Sequence, residues 1–151
     1  MKKLMLFMLI GLFSISAIAQ KINADKVPAS VLDAFKAKFP AAAKAKWSLE
    51  NPKEYEAEFK LENADQSASF SEDGKWIETE VVISKSQLPQ AVINAIDKKY
   101  PSCKIEEVEQ ASSPENNLFY GVTVKLNGKE YDIDLKATGE IIKAVEVNEK
   151  D

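Results

Sequence analysis

The chain has 151 residues and a formal net charge of −4, with 24 acidic side chains against 20 basic ones, and it contains no histidine. Nucleic acid and anionic lipid repel an acidic chain, so neither is an expected partner. All the basic residues are lysines, which lack arginine's planar fork for carboxylates and phosphates, and the commonest general base and metal ligand is missing.

The first 19 residues predict a secretory signal peptide. Lys2 and Lys3 precede an apolar run from Leu4 to Ala17, and Ala17-Ile18-Ala19 has the small residues that a signal peptidase accepts. The run is shorter than the about 20 apolar residues that a transmembrane helix needs. We therefore expect cleavage before Gln20, a periplasmic or secreted mature chain, and no membrane insertion after cleavage. Loss of the two lysines takes the net charge from −4 to −6.

After a short lead at residues 20–26, the sequence repeats itself. The segment Val27–Pro40 has its counterpart 61 positions later, at Leu88–Pro101, and Tyr55–Leu61 has its counterpart 65 positions later, at Tyr120–Leu126. Self-similarity of this kind indicates a duplicated supersecondary unit. We assign residues 27–83 to the first repeat, 84–87 to a short connection, 88–147 to the second repeat and 148–151 to a tail.

Each repeat opens with a short helix. Pro28 and Pro89 stand near the first helical position, where a missing N–H has no cost. Apolar residues follow at helical spacing up to Phe39 in the first copy and Tyr100 in the second, and the proline after each ends the helix. A helix of about 11 residues is not stable alone, so both must cover another element.

Four strands are predicted after each helix. Apolar and polar side chains alternate along Tyr55–Leu61, Tyr120–Leu126 and Tyr131–Ala137, as expected of half-buried strands. Gly-containing pairs between the strands fit hairpin turns. The other predicted strands are Ala43–Leu49, Lys75–Ile83, Lys104–Gln110 and Glu140–Val147, and the predicted turns are Asp73-Gly74, Asn127-Gly128 and Thr138-Gly139.

These elements predict an α+β protein in which two tandem repeats, each of one helix and four antiparallel strands, form one body. The sheet would have up to eight strands, with both helices on one face and the other face open. The single cysteine, Cys103, corresponds to Ala42 of the first repeat, which predicts a small apolar slot for it.

The two tryptophans are candidates for binding, since tryptophan is enriched at binding hot spots. Trp47 and Trp76 correspond to aliphatic residues of the second repeat, Val108 and Ile141, which favours core positions for both. Trp76, however, alternates in step with the acidic residues of its strand. This places it on the open face, and we keep it as a candidate there.

Paired acids are the main candidates for chemistry. Glu56 with Glu58, and Asp132 with Asp134, have a spacing of about 7 Å along a strand, which is in the range of glycosidase carboxylates. Alternating acids are far more often the solvated side of an amphipathic strand, and no nucleophile motif accompanies them. A hydrolase is therefore the disfavoured alternative, and we assign no catalytic residue, metal or cofactor. The polar loop 112–117 is interpreted as an ordinary surface loop.

The repeated pattern resembles the PepSY-like domain family of secreted Bacteroidetes proteins, which is described as similar to β-lactamase inhibitor protein. The resemblance implies a fold with two tandem copies and no catalytic residues. It also implies a partner, because the inhibitor-like relatives present one sheet face to a protein, and PepSY domains have been proposed to restrain peptidases. The matching residues are Pro28, Phe39-Pro40, Tyr55, Asp73-Gly74 and Trp76 in the first copy, and Pro89, Tyr100-Pro101, Tyr120, Tyr131-Asp132-Ile133 and Thr138-Gly139 in the second.

We therefore predict a secreted, non-enzymatic binding module that docks a protein or peptide on its open sheet face. A peptidase inhibitor or regulator is the narrower form that the resemblance implies, and a structural protein with no specific ligand is the alternative. Acids with interspersed lysines would attract a basic partner. The residues predicted to form this face are Glu56, Glu58, Lys60, Trp76, Thr123, Lys125, Asp132, Asp134 and Lys136.

Overall fold

A computed structural model describes residues 20–42 and 44–147. The predicted signal peptide, 1–19, and the predicted tail, 148–151, lie outside the described residues. Short 3-10 helices occupy Ala24–Lys26 and Lys85–Gln87. The other elements are β1 (Gln20–Ile22), α1 (Ala29–Lys38), β2 (Ala45–Asn51), β3 (Glu54–Leu61), β4 (Ala64–Ser71), β5 (Trp76–Val82), α2 (Gln90–Lys99), β6 (Lys104–Ser112), β7 (Phe119–Leu126), β8 (Lys129–Leu135) and β9 (Ile141–Val147).

The nine strands form one antiparallel sheet in which every strand pairs with the next one along the chain. Seven of them match the strands whose ranges were predicted, with ends that differ by a few residues, and β4 supplies the fourth strand expected of the first repeat. The ninth is β1, which pairs Gln20 with Leu49 and Ile22 with Trp47 at the sheet edge. The prediction of up to eight strands missed β1, because a three-residue strand is too short for alternation to reveal it.

Both helices begin and end where the prolines predict. Pro28 and Pro89 precede the first helical residue, and each helix has ten residues. The Phe39 N–H donates to the Phe35 carbonyl at 2.8 Å, and the Tyr100 N–H donates to the Ile96 carbonyl at 2.7 Å. No helix within residues 20–42 and 44–147 is long and apolar enough to cross a membrane.

Each helix covers its own hydrophobic core on the same side of the sheet. The buried residues of the first core are Val27, Val31, Phe35, Phe39, Trp47, Ala57, Phe59, Ala68 and Phe70. Those of the second core are Leu88, Val92, Ile96, Tyr100, Val108, Tyr120, Val122, Val124, Ile133 and Leu135. Cys103 and Ala42 each pack against the core of their own half, which confirms the predicted slot.

The two cores fill equivalent positions with different volumes. Trp47 pairs with Ala57, which pairs with Ala68, so one large side chain lies beside two small ones. The equivalent positions of the second half hold Val108 and two further branched aliphatic residues, Val122 and Ile133. Since interiors are close-packed, the large tryptophan is matched by small side chains at the next two positions across the sheet, Ala57 and Ala68. The predicted core position of Trp47 is confirmed.

Two glycines bring the hairpin turns against the helices. Gly74 and Gly139 have φ of +82° and +84°, and a Cβ at either position would collide with a helix backbone carbonyl, that of Ser30 or of Ala91. Gly128 has a similar φ of +81°, but a Cβ there would meet nothing within 4 Å. Gly74 and Gly139 therefore allow a close approach of turn to helix as well as a left-handed backbone.

We expect Gly139→Ala to lower the free energy of unfolding by at least about 2 kcal/mol, because it adds a collision with Ala91 to the left-handed strain. Gly128→Ala is the matched control, since it carries the strain alone and should cost about 1 kcal/mol. Urea denaturation of the two variants and the native chain measures both. Equal losses would show that the contact between turn and helix has no energetic weight.

Candidate functional site on the open sheet face

The open face is the side of the sheet opposite the two cores. Residues paired across antiparallel strands point to the same side. Ala57 and Ala68 pair within the first core, so the next pair along, Glu56 with Ser69, points to the open face. By the same alternation the open face carries the predicted residues Glu56, Glu58, Lys60, Thr123, Lys125, Asp132 and Asp134.

Some predicted site residues make local contacts on this face. The Thr123 hydroxyl donates to the Asp132 carboxylate at 2.9 Å across β7 and β8. Lys60 Nζ lies 2.9 Å from an Asp65 carboxylate oxygen, in an exposed ion pair. Lys136 follows the end of β8, where its Nζ lies 2.9 Å from both Glu140 carboxylate oxygens. Lys136 therefore lies at the end of the sheet, apart from the acids of the middle strands.

Trp76 does not lie on the open face, so its place among the candidates was wrong. A β-bulge sets Trp76 opposite Phe70 of the first core, while Ser69 is opposite Glu78. The extra residue, Ile77, reverses the alternation, which is why Trp76 is out of step with the acids that follow. The indole packs against the first core, and its N–H donates to the Thr79 hydroxyl at 2.9 Å.

The strands in the middle of the sheet add acids that the prediction left out of the site. Glu78 and Glu80 lie on β5 and Glu109 lies on β6, all on the open face. They stand between the acids of β3 and those of β8 and bring them into one group. We call this group the carboxyl cluster: Glu56, Glu78, Glu80, Glu109, Asp132 and Asp134.

Glu56 is the first-half member of the cluster. The Ser48 hydroxyl lies 3.3 Å from a Glu56 oxygen and 3.3 Å from a Glu50 oxygen, so two carboxyl groups meet over one serine. Burial and the adjacent Glu50 raise the pKa of Glu56 to about 7. Hydrogen bonds from Ser48 and Ser67 oppose this shift.

The pKa values of the central members are raised further. Burial raises the pKa of Glu78 to about 9, with added repulsion from Glu80, Asp134 and Glu109. Burial and the neighbouring acids, Glu80 foremost, raise the pKa of Glu109 to about 8. The pKa of Asp134 is also raised by burial, against the attraction of Lys143. The pKa values of Glu56, Glu109 and Glu78 therefore lie at or above neutral pH, where ordinary acids are fully ionised.

Gly121 forms the floor between two of these acids. It lies on β7 between Glu109 on β6 and Asp134 on β8. A Cβ at Gly121 would stand 3.8 Å from a Glu109 carboxyl oxygen and 3.9 Å from an Asp134 carboxyl oxygen. The absent side chain leaves both carboxyl groups over the same patch of backbone.

The open face contains a groove over the strands of the first half of the chain. This groove, of about 690 Å³, is lined mainly by residues of β2 to β6, with more acids than lysines. The acids are Glu56, Glu58, Asp65, Glu80, Glu107 and Glu109, and the lysines are Lys44, Lys46 and Lys60. Val82 also lines the groove and is 45% exposed, an apolar side chain among acids. The groove can therefore accept both positive charge and aliphatic surface.

The arrangement does not resemble a metal centre or a hydrolytic site. Within the described part of the chain, no three acidic or cysteine side chains converge in a way that could hold a metal ion. The acids follow the sheet in a row, whereas a glycosidase pair flanks one bond in a cleft. The chemistry that the row offers is the binding of positive charge.

The raised pKa values predict a stability that falls as pH rises. The folded chain holds protons on Glu56, Glu109 and Glu78 up to about pH 7, 8 and 9, whereas the unfolded chain releases them near pH 4.5. Folding is therefore favoured at the acidic end of this range and loses stability as pH passes through each folded-state pKa. We expect the free energy of unfolding to fall by at least about 2 kcal/mol from pH 5 to pH 9 in urea denaturation.

Glu109→Gln provides the matched variant for this measurement. Because the amide cannot ionise, we expect the variant to be more stable than the native chain at pH 9, and close to it at pH 5. A native profile that is flat from pH 5 to pH 9 would contradict the raised pKa values.

Solved structures share the fold described here. A protein of Bacteroides uniformis ATCC 8492, described as a DUF2874 family protein, is 27% identical with a TM-score of 0.70, over 79% of this chain and 88% of that one. A BLIP-like protein of Bacteroides fragilis NCTC 9343 is 25% identical with a TM-score of 0.69, over 82% and 89%. A structure from Bacteroides eggerthii DSM 20697, described as "putative periplasmic proteins", is 24% identical with a TM-score of 0.70, over 80% and 88%.

No curated protein matches the chain. The family described as "Putative beta-lactamase-inhibitor-like, PepSY-like" matches residues 14–67 and 53–143. These segments overlap and do not coincide with 27–83 and 88–147, so the repeat boundaries stay a prediction. Together they cover most of the sequence, and the expected resemblance is confirmed: the chain belongs to the PepSY-like, beta-lactamase-inhibitor-like family.

Proposed function

We propose that the protein is a periplasmic or secreted, non-enzymatic binding module that docks a basic protein or peptide on its open sheet face. The observation that carries this proposal is the carboxyl cluster, in which half-buried acids from both halves of the chain raise one another's pKa. Perturbed acids are concentrated at functional sites, and these acids lower the stability of the fold near neutral pH.

The charge distribution favours a basic partner. Several lysines form ion pairs with acids at exposed positions outside the cluster, such as Lys60 with Asp65 and Lys129 with Glu146. In the described residues, Lys143 is the cation that acts on the pKa of Asp134, and the other charges acting on the cluster are mostly negative. A lysine or arginine from a partner would therefore find an uncompensated negative field there.

The groove favours a partner segment with aliphatic surface beside its positive charge. Val82 is exposed in the groove beside Glu107 and Glu109. A lysine or arginine side chain has this composition, since its stem packs on apolar surface while its head reaches a carboxylate.

The proposed cellular location and the proposed kind of partner are supported by the sequence and by the descriptions of similar proteins. The leader at 1–19 and the description of the Bacteroides eggerthii relative support export to the periplasm. The family description supports a protein inhibitor or regulator, with a peptidase as a narrower candidate target. Nothing in the cluster favours catalysis over binding.

We expect charge reversal on the open face to abolish capture of the partner. Glu58→Lys with Glu107→Lys changes two exposed groove residues, and Asp33→Lys with Asp97→Lys makes the same charge change on the exposed faces of α1 and α2. Chain beginning at Gln20 would be immobilised and exposed to periplasmic extract and medium of its own organism, and the captured protein titrated against each form.

The groove variant should bind the captured protein at least about tenfold more weakly than the native chain, while the helix-face variant binds as the native chain does. Equal binding by all three forms would remove the open face as the docking surface. Circular dichroism of each form verifies that the comparison is made between folded proteins.

A further inference from the structure

We propose that docking on the open face is gated by protons: in acid the carboxyl cluster holds protons and takes up a basic partner weakly, and loss of these protons towards and above neutral pH strengthens docking. This inference rests on the proposed function and adds its regulation. The geometry that carries it is a set of carboxyl groups held against one another across four strands, β3, β5, β6 and β8.

Two carboxyl groups of this face meet over one serine. The Ser48 hydroxyl lies 3.3 Å from a Glu56 oxygen and 3.3 Å from a Glu50 oxygen. Two ionised carboxylates held this close repel each other, so burial and the adjacent Glu50 favour a proton on Glu56.

Glu109 and Asp134 are another pair of carboxyl groups within this set. Both carboxyl groups lie over Gly121, which has no side chain to separate them. Glu109 also stands at the join of the two halves, where β5 and β6 pair over only four positions, Thr79–Val82 with Glu109–Ser112. A change in its charge is therefore felt by acids from both halves.

The groups around this set supply little positive charge. The charged groups that act on Glu56, Glu78, Glu109 and Asp134 are Glu50 from β2, Glu56 from β3, Glu78 and Glu80 from β5, Glu107 and Glu109 from β6, Asp132 and Asp134 from β8, and Lys143 from β9. β7 contributes the uncharged Gly121 and Thr123 and, further along the same face, Lys125. Among the described groups that act on the pKa values of this set, acids outnumber cations, so an external cation is favoured once the cluster is ionised.

Removal of protons and arrival of a cation are therefore linked events. A docking lysine favours the ionised carboxyl groups, and binding should release protons to the solvent. Affinity then rises with pH through the range in which the cluster titrates. A surface of ordinary acids would behave differently, because carboxylates with unperturbed pKa values are fully ionised at pH 6 and gain no further charge.

N-acetylated hexalysine serves as the probe, because its lysines stay protonated to pH 9 and its terminal amine is blocked. Calorimetric titration at pH 6 and pH 9, at low salt and in buffers of different ionisation enthalpy, measures the affinity and the protons released. We expect binding to be at least about tenfold tighter at pH 9 than at pH 6, with net release of protons on binding.

Glu78→Gln with Glu109→Gln imitates the protonated cluster. This variant should bind hexalysine at pH 9 about as weakly as the native chain binds it at pH 6. Asp33→Asn with Asp97→Asn removes the same charge from the helix face and should keep the full pH dependence. If the cluster variant fails to fold, carbon-13 titration of the native glutamates replaces it, and midpoints all below about pH 5 would overturn the inference.

The outcomes separate the inference from the function on which it rests. Binding that is equally tight at pH 6 and pH 9, with no protons released, leaves the basic-partner proposal standing and overturns the gate. Absence of binding at both pH values contradicts the basic-partner proposal itself, and the gate with it. Tighter binding at pH 9 that the cluster variant retains would overturn the assignment to Glu78 and Glu109.

Discussion

The structure depends on the short ladder between β5 and β6. Each half has its own helix and its own core, and four residue pairs make the two sheets one. Each helix covers the core of its own half, and β5 and β6 are the one pair of neighbouring strands in the sheet order that joins the two halves. The open face is continuous only because the backbone hydrogen bonds of this ladder are made, and so the acids of β3 and β8 share a surface with those of β5 and β6.

The two sides of the sheet have opposite effects on stability: packing on one side stabilises the fold, and charge repulsion on the other destabilises it. The core side is close-packed, and the bulk of Trp47 is matched there by two alanines, Ala57 and Ala68. The open side brings together charges that repel one another and lose hydration. Serines moderate this, since Ser48 and Ser67 donate to the glutamates beside them. The two cores can support an open face with mutually repelling acids because neither core includes any of these acids.

Local patterns were sufficient to predict the helices and most strands. Proline on either side of an amphipathic stretch marks both ends of a helix, and Gly128 with Asn127 marks a hairpin whose residues both have positive φ. Two features were not visible locally. β1 is too short to alternate, and the bulge at Ile77 moves Trp76 to the core. The same bulge recurs at Ile142, between the pairs Asp134–Lys143 and Leu135–Ile141.

The sequence patterns predicted only the acids at the two ends of the carboxyl cluster, those of β3 and β8. Strict alternation revealed the acids of β3 and β8, but β5 and β6 each carry an irregularity, at Ile77 and between Ile105 and Glu107, that obscures their pattern. The assembly of four distant strands into one cluster depends on strand order, which no local pattern records. Gly121 could not be recognised as a floor until its neighbours were known.

The stored protons also change how the whole molecule behaves in an electric field. Because the chain has no histidine, few groups other than the carboxyl cluster change charge near neutral pH. The folded protein therefore carries less negative charge than its composition implies, and it loses that charge as the medium becomes more acidic. The isoelectric point of the folded chain lies above that of the unfolded chain, so unfolding by itself makes the molecule more anionic.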